Sequence, residues 1–403
     1  MPPFSAFRSL RYEPARFAPA DVTAPPYDVL SAADRIALVA KNPHNAVLVD
    51  LPVEEDGPDR YDQAGHRLQM WSDEGALVRD PAPELTAYRM TTTDDLGRPV
   101  ATLGVLGALT LSRPDEGEIL PHEHTTPKAK SDRLDLLRGT RTNLSAIWGL
   151  SLSHGLSSLI DIADPPFQSW TDEDGTLHET WRITDPAAID AICAAVAASP
   201  LVIADGHHRY ETSLAYRDER RTADGTGGAA DATLCYVVEL SDEQLTVRPI
   251  HRLVHGLADV DLPAALAALP GAAIVGTAPA DEVTDGRVLE AMDRLGAIAV
   301  VSRDGSATLV SLDPTQTPEL DDLDSARLAH ALSLIGPHEL TYQHGTDRAQ
   351  AAAVGGEADW AVLIRPVTVA AIEDNAHSGE RMPPKSTFFY PKPRTGIVFR
   401  SLD

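Results

Sequence analysis

The sequence predicts a mixed α/β protein, and two patterns carry the prediction. Through the middle of the chain, a helical pattern from Asp185 to Ala198 runs into the apolar stretch Leu201-Val202-Ile203-Ala204. A second helical pattern and the apolar run Leu234–Leu240 follow, giving alternating helices and strands. From about Gly256 onward, Ala-rich helical stretches alternate with short Val- and Ile-rich runs, the same texture without the chemistry-bearing residues.

Taken in order, residues 1–30 are rich in proline and end in Ala24-Pro25-Pro26-Tyr27-Asp28-Val29. Two adjacent prolines hold an extended backbone and exclude a helix there, so Tyr27 and Asp28 are presented from a stiff segment. That segment is either a strap across the core or a pocket wall. Ser31 caps a short helix to Val39, and Ala46–Leu51 reads as a strand. Tyr61–Glu74 reads as a helix with Ala64, Leu68 and Trp71 on one face. Leu85–Thr92 and Ala101–Leu111 read as strands joined by the hairpin-like Asp94-Asp95-Leu96-Gly97.

Next comes Pro121-His122-Glu123-His124-Thr125-Thr126-Pro127-Lys128-Ala129-Lys130-Ser131-Asp132-Arg133, a loop leading into a helix from Ser131 to Arg138. It carries two histidines, a carboxylate and two lysines. In an extended loop His122 and His124 share one side and Glu123 faces the other. Two histidines without a spaced third ligand are a weak metal signal. Glu123 is the better candidate for a general base, with Lys128, Lys130 and Arg133 as candidates for neutralising a phosphate. The bland reading of the basic residues is a solvated helix face.

The richest stretch is Asp205-Gly206-His207-His208-Arg209, directly after the run Leu201–Ala204. Strand, tight turn and helix are expected in succession. The first turn of a helix leaves backbone N–H groups unpaired and attracts anions. Gly206 permits close approach to the backbone. Arg209 can grip a phosphate or carboxylate through two parallel hydrogen bonds. His207 and His208 can donate or move a proton near neutral pH, and Asp205 can orient them. A plain strand–helix junction with Asp205 as N-cap is the alternative.

Strands are expected at Leu234–Leu240, Ala272–Val275, Ala297–Val301 and Thr308–Val310, with helices over 280–294, 322–335 and 346–353. The chain ends in Met382-Pro383-Pro384-Lys385-Ser386-Thr387, where Lys385, Ser386 and Thr387 can clamp an anion. The glycine pattern of a P-loop is absent there. Three regions are expected: a catalytic core over 1–255, an accessory α/β region over 256–360, and a terminal segment over 361–403 that returns to the core.

The 403 residues carry a formal charge of −26, which disfavours nucleic acid and anionic membranes as partners. No run reaches the ~18 apolar residues of a membrane helix, no signal-peptide pattern opens the chain, and a cytoplasmic protein is expected. Cys193 and Cys235 sit among apolar residues and read as free buried thiols.

Four segments together resemble one family: residues 24–29, His122-Glu123-His124-Thr125 with Asp132-Arg133-Leu134, Asp205–Thr212, and Met382–Lys392. The chain is identified as a member of the DUF1015 family, an uncharacterised prokaryotic family. The central motif also resembles the phosphate-binding turn of the ParB/sulfiredoxin superfamily, which includes free serine kinases. That resemblance implies a ParB/sulfiredoxin-like core in which residues 205–209 cradle phosphate and Glu123 serves as base by role. It further implies phosphoryl transfer between a small hydroxyl metabolite, such as serine or phosphoserine, and ADP or ATP, with Mg²⁺ as bridging ion. Tyr27, Asp28, Lys385, Ser386 and Thr387 are expected to complete the binding set. The rival readings are a metal-dependent hydrolase built on His122, His124, His207 and His208, and a nucleotide-binding module without chemistry.

Overall fold

The computed structural model describes residues 3–94, 97–121, 130–225, 228–312, 323–378, 382–383 and 385–403. It divides into two units. The first comprises residues 1–92, 99–245 and 391–403; the second comprises 93–98 and 246–390. Residues 246–255 and 361–390 therefore go with the second unit, and only 391–403 go with the first.

The first unit is built on a sheet of nine described strands. These are β1 (Phe4–Ser5), β2 (Leu85–Thr93), β3 (Pro99–Thr110), β4 (Ile119–Pro121), β5 (Ile147–Ser151), β6 (Gln168–Thr171), β7 (Leu177–Ile183), β8 (Leu201–Asp205) and β9 (Ala232–Glu239). Their order is β4-β8-β5-β9-β3-β2-β7-β6, with β1 paired to β3. β8 is parallel to β4 and antiparallel to β5, so both of its edges are occupied. Leu201, Val202, Ile203 and Ala204 are all buried, which explains a continuous apolar run in place of alternation. Near the end of β8 the register shifts between Ile203 and Asp205, and the chain turns out of the sheet at Asp205.

Six helices of this unit matter here: α1 (Ala32–Lys41), α2 (Val47–Asp50), α3 (Arg60–Asp73), α4 (Lys130–Thr140), α5 (Pro186–Val196) and α6 (His207–Asp224). Helix α2 replaces the strand expected over 46–51. The Asn45 side chain accepts the Val47 N–H at 3.0 Å and donates to Asp21 and Thr23 carbonyls, which winds the segment into a turn. A short apolar run of this kind has no period that separates strand from buried helix. Helices α3 and α4 approach so closely that a Cβ on Gly65 would lie 2.2 Å from the Gly139 carbonyl oxygen. Helix α4 in turn packs on α6, bringing Arg133 and Arg209 to one place.

The C-terminal segment threads through this unit. Ala24 and Thr395 exchange both backbone hydrogen bonds, at 3.0 and 2.9 Å, and so do Leu10 and Phe399. Residues 400–401 pair with 142–143.

The second unit holds an antiparallel sheet of six described strands: β10 (His251–His255), β11 (Ala273–Ala278), β12 (Ala297–Val301), β13 (Ala307–Ser311), β14 (Glu339–Gln343) and β15 (Trp360–Leu363). Their order is β11-β13-β12-β15-β10-β14. The helix expected over 280–294 is two helices, Ala280–Thr284 and Val288–Leu295, because Asp285-Gly286 breaks it and Gly286 adopts φ +81°. The chain as a whole is mixed α/β, as its sequence pattern indicates. Cys193 and Cys235 are free thiols, the second fully buried. Among the described residues, no helix is long and apolar enough to cross a membrane.

Candidate functional site

The site grows from the end of β8. Gly206 adopts φ +91°, a left-handed conformation that a Cβ disfavours, and its own carbonyl accepts the Tyr210 N–H at 2.9 Å to open α6. Gly206, not Asp205, is the N-cap, and no described side chain caps the helix. The first-turn N–H groups of this 18-residue helix thus face outward with the positive end of its dipole.

Arg209 folds back over this turn. Its Nη2 donates to Asp205 Oδ2 at 2.6 Å and its Nη1 donates to the Ala146 carbonyl. Its Nε is buried and has no hydrogen-bond partner among the described residues, as is true of Thr212 Oγ1 and His208 Nδ1. The second oxygen of Asp205 accepts from Lys392 Nζ at 2.9 Å, and Lys392 also reaches Asp28 Oδ2 at 2.7 Å. Burial opposes ionisation of Asp205. Lys392 and Arg209 outweigh it and hold the carboxyl at about 2. Burial likewise works against charge on Lys392, and the two aspartates raise its pKa in spite of it.

Lys392 is delivered rigidly. Pro391 and Pro393 flank it, and each fixes its own φ. Arg394 is buried, with Nε on Thr23 Oγ1 and Nη1 on Asp172 Oδ2, both at 3.1 Å. Asp172 is itself bonded to His178 Nε2 at 2.9 Å, and His178 Nδ1 to the Tyr88 hydroxyl at 2.8 Å. The C-terminal segment therefore pins a lysine against the turn it serves.

A second carboxylate lies deeper. Asp50, 3% exposed, ends α2 and touches Thr395 Oγ1 at 3.2 Å and Ser145 Oγ at 3.5 Å. Burial pushes its pKa up, against the pull of Arg133 and Arg209. Arg133 donates to the Asp50 carbonyl at 2.7 Å, bonds Asp132 at 2.9 Å, and lies 4.0 Å from the Tyr27 ring centroid. Tyr27 is half-buried, and its hydroxyl pKa is raised by burial.

Of the residues expected from sequence, Tyr27, Asp28, Arg133, Asp205, Gly206 and Arg209 come together here, and the charge of His207 acts on Asp205. Lys130 opens α4. Glu123 and Lys128, with His122 and His124, lie outside the described residues. Lys385, Ser386 and Thr387 lie in the second unit, where Arg252 donates to the Lys385 carbonyl at 3.0 Å and Ser386 Oγ lies 3.2 Å from Ser325 Oγ.

Sequence reading passed over Asp50, Thr212 and Lys392 as site residues. The proline bracket around Lys392, and a lone Asp closing the apolar run Ala46–Leu51, were the available signals.

Two outcomes follow from this geometry. Asp205 has a folded pKa of about 2, below its ordinary 3.8. Its contribution to stability is full above about pH 4 and is lost as pH falls toward 2, which thermal unfolding across that range reads out. Gly206→Ala forces a Cβ to φ +91° and within 3.1 Å of the Arg209 guanidinium. A loss of about 1–2 kcal/mol in denaturant unfolding is expected, with weaker anion binding.

The chain is thus a mixed α/β protein in which a helix without a side-chain cap, an arginine and a clamped lysine meet at one sheet end. The chain is a member of the DUF1015 family, described as protein of unknown function, whose model matches residues 4–326. No protein with a curated description matches the chain. Among solved structures, a mutant free serine kinase in complex with AMP is similar at 15% identity and TM-score 0.37, covering 73% of this chain and 92% of its own. A conserved hypothetical protein from Pyrococcus furiosus is similar at 14% identity and TM-score 0.36, covering 73% and 95%. SbnI from Staphylococcus aureus, truncated at its C-terminus, is similar at 15% identity and TM-score 0.34, covering 72% and 85%.

Proposed function

We propose that the chain is a phosphotransferase that moves a phosphoryl group between a nucleotide, ADP or ATP, and a small hydroxyl metabolite of the serine or phosphoserine type. The observation that carries this reading is the start of α6 at Gly206 without a side-chain cap, with Arg209 on that turn and Lys392 paired to its Asp205. Such a turn supplies N–H donors, dipole and cations to one anion. A formal charge of −26 makes this local cation pair necessary for a phosphorylated ligand and weighs against nucleic acid.

In the forward direction the acceptor oxygen bonds to the terminal phosphorus as the bridging P–O bond breaks. The nucleotide leaves one phosphate shorter, and the acceptor proton passes to a carboxylate. The first-turn N–H groups and Arg209 hold the charge on the phosphoryl oxygens, so catalysis is positioning and charge neutralisation. His207 or His208 donates a hydrogen bond to an oxygen of the transferred group.

Glu123 is the proton acceptor in this reading. The segment that carries it leaves the sheet at Pro121, registered against Ile203, and rejoins the described chain at Lys130, one turn before Arg133. Both oxygens of Asp205 are taken by Arg209 and Lys392, and Lys392 also holds Asp28. The described carboxylates therefore do not form a metal site of their own. Mg²⁺ would arrive bound to the nucleotide phosphates, where it neutralises charge.

The test is ³¹P NMR of the full chain incubated with L-serine and ADP or ATP. A growing phosphomonoester signal, matched by loss of the terminal nucleotide phosphate, is expected. No transfer with either nucleotide in either direction overturns the reading.

A further inference from the structure

A cavity of about 50 Å³ lies behind Arg209, between α4, α6 and residues 142–145, lined by Asp50, Arg133, Asn143, Ser145, Arg209 and Thr212 among others. A water needs roughly 10–15 Å³ by this measure. The space is half-open and takes a small polar group.

Its polar groups are incomplete. Arg209 Nε and Thr212 Oγ1 are buried without a partner among the described residues. The Asp50 carboxylate, 3% exposed, has only long contacts: 3.2 Å to Thr395 Oγ1, 3.5 Å to Ser145 Oγ and 3.6 Å to Arg133 Nη1. Arg133 does not neutralise it fully, because its guanidinium is shared with Asp132 and with the Asp50 carbonyl. A buried carboxylate without a close donor is costly, and native structures keep such groups where a ligand completes them.

We infer that this cavity is the acceptor subsite and that it selects a small α-amino acid. Asp50 receives the ammonium group, Arg209 Nε takes a carboxylate or phosphoryl oxygen, and Thr212 Oγ1 meets the remaining polar group. The assignment rests on the phosphoryl-transfer reading for the word acceptor; the binding chemistry stands on the cavity alone. Charge is the selective element. A hydroxy acid of the same size leaves Asp50 unpaired in the complex, and an amino alcohol leaves Arg209 Nε unpaired. Both losses are of the kind that discriminates strongly in a buried site.

Isothermal titration calorimetry of the full chain near neutral pH, with L-serine, L-glycerate and ethanolamine, tests this. L-Serine is expected to bind, and each analogue to bind at least roughly tenfold more weakly, about 1.4 kcal/mol. Asp50→Asn is expected to weaken L-serine roughly tenfold while L-glycerate, freed of the unpaired carboxylate, binds at least as well as before. Asp50 carries a pKa raised by burial, so its neutral replacement is expected to leave thermal stability near neutral pH intact or higher. If the variant does not fold, the comparison of the three ligands on the wild-type chain still decides. The inference is overturned by L-glycerate binding as tightly as L-serine, by Asp50→Asn retaining full L-serine affinity, or by no binding of any of the three. L-Serine binding without phosphoryl transfer keeps the cavity and removes the phosphotransferase. Transfer with equal use of L-glycerate does the reverse.

Discussion

Under the proposed function, Arg209→Ala is expected to lower ADP affinity by about a hundredfold and to leave a folded chain. Arg209 both reaches the turn through Asp205 and lines the cavity. Nη2 holds Asp205, Nη1 holds the Ala146 carbonyl, and Nε points to neither. A phosphate oxygen at the start of α6 therefore gains the guanidinium together with the helix N–H groups. Removing one such donor costs about 2.7–4 kcal/mol where charge develops, or 10²–10³ in rate. Folding suffers less, because Asp205 keeps Lys392 at 2.9 Å. Calorimetry with ADP and circular dichroism on the same sample separate the two effects. Retained ADP affinity contradicts the role given to Arg209.

Lys392→Met carries the largest expected cost in stability. Lys392 is deeply placed, 13% exposed at its side chain, and bridges Asp205 and Asp28. Methionine keeps the length and removes the charge, leaving two aspartates to share Arg209. Removing one partner of a buried pair costs about 3–5 kcal/mol. Asp205 is about one-fifth exposed and Asp28 more so, and solvent screening brings the expectation below that range, to about 2–3 kcal/mol. The midpoint of acid unfolding is expected to rise in pH as well, since the Asp205 carboxyl loses the stronger of the charges that depress it. Denaturant unfolding and a pH series measure both. An unchanged midpoint in either contradicts the clamp.

What was legible beforehand follows physical lines. The strand before Asp205 was readable because four buried apolar residues in a row suit a strand paired on both edges. The turn was readable because Asp-Gly after an apolar run favours a tight turn, and Gly206 does adopt a positive φ. Helix α2 was not, because Ala46–Leu51 is short and apolar, and the Asn45 side chain that winds it acts outside any periodic pattern. Lys392 and Asp50 were not read as site residues because their roles depend on pairings across the chain. Thr395 joins Ala24 through backbone bonds and Asp50 through its hydroxyl, contacts separated by more than three hundred residues that no local rule encodes. Arg133 was expected to face a phosphate, and its guanidinium is spent on Asp132, the Asp50 carbonyl and the Tyr27 ring.

The most direct measurement of the central claim is a crystal structure of the full chain soaked with ADP. The account predicts a terminal phosphate oxygen about 2.7–3.1 Å from first-turn N–H groups of the helix that begins at His207, with Arg209 bonded to the same phosphate. ADP held elsewhere, with Arg209 still closed only on Asp205 and Ala146, contradicts it.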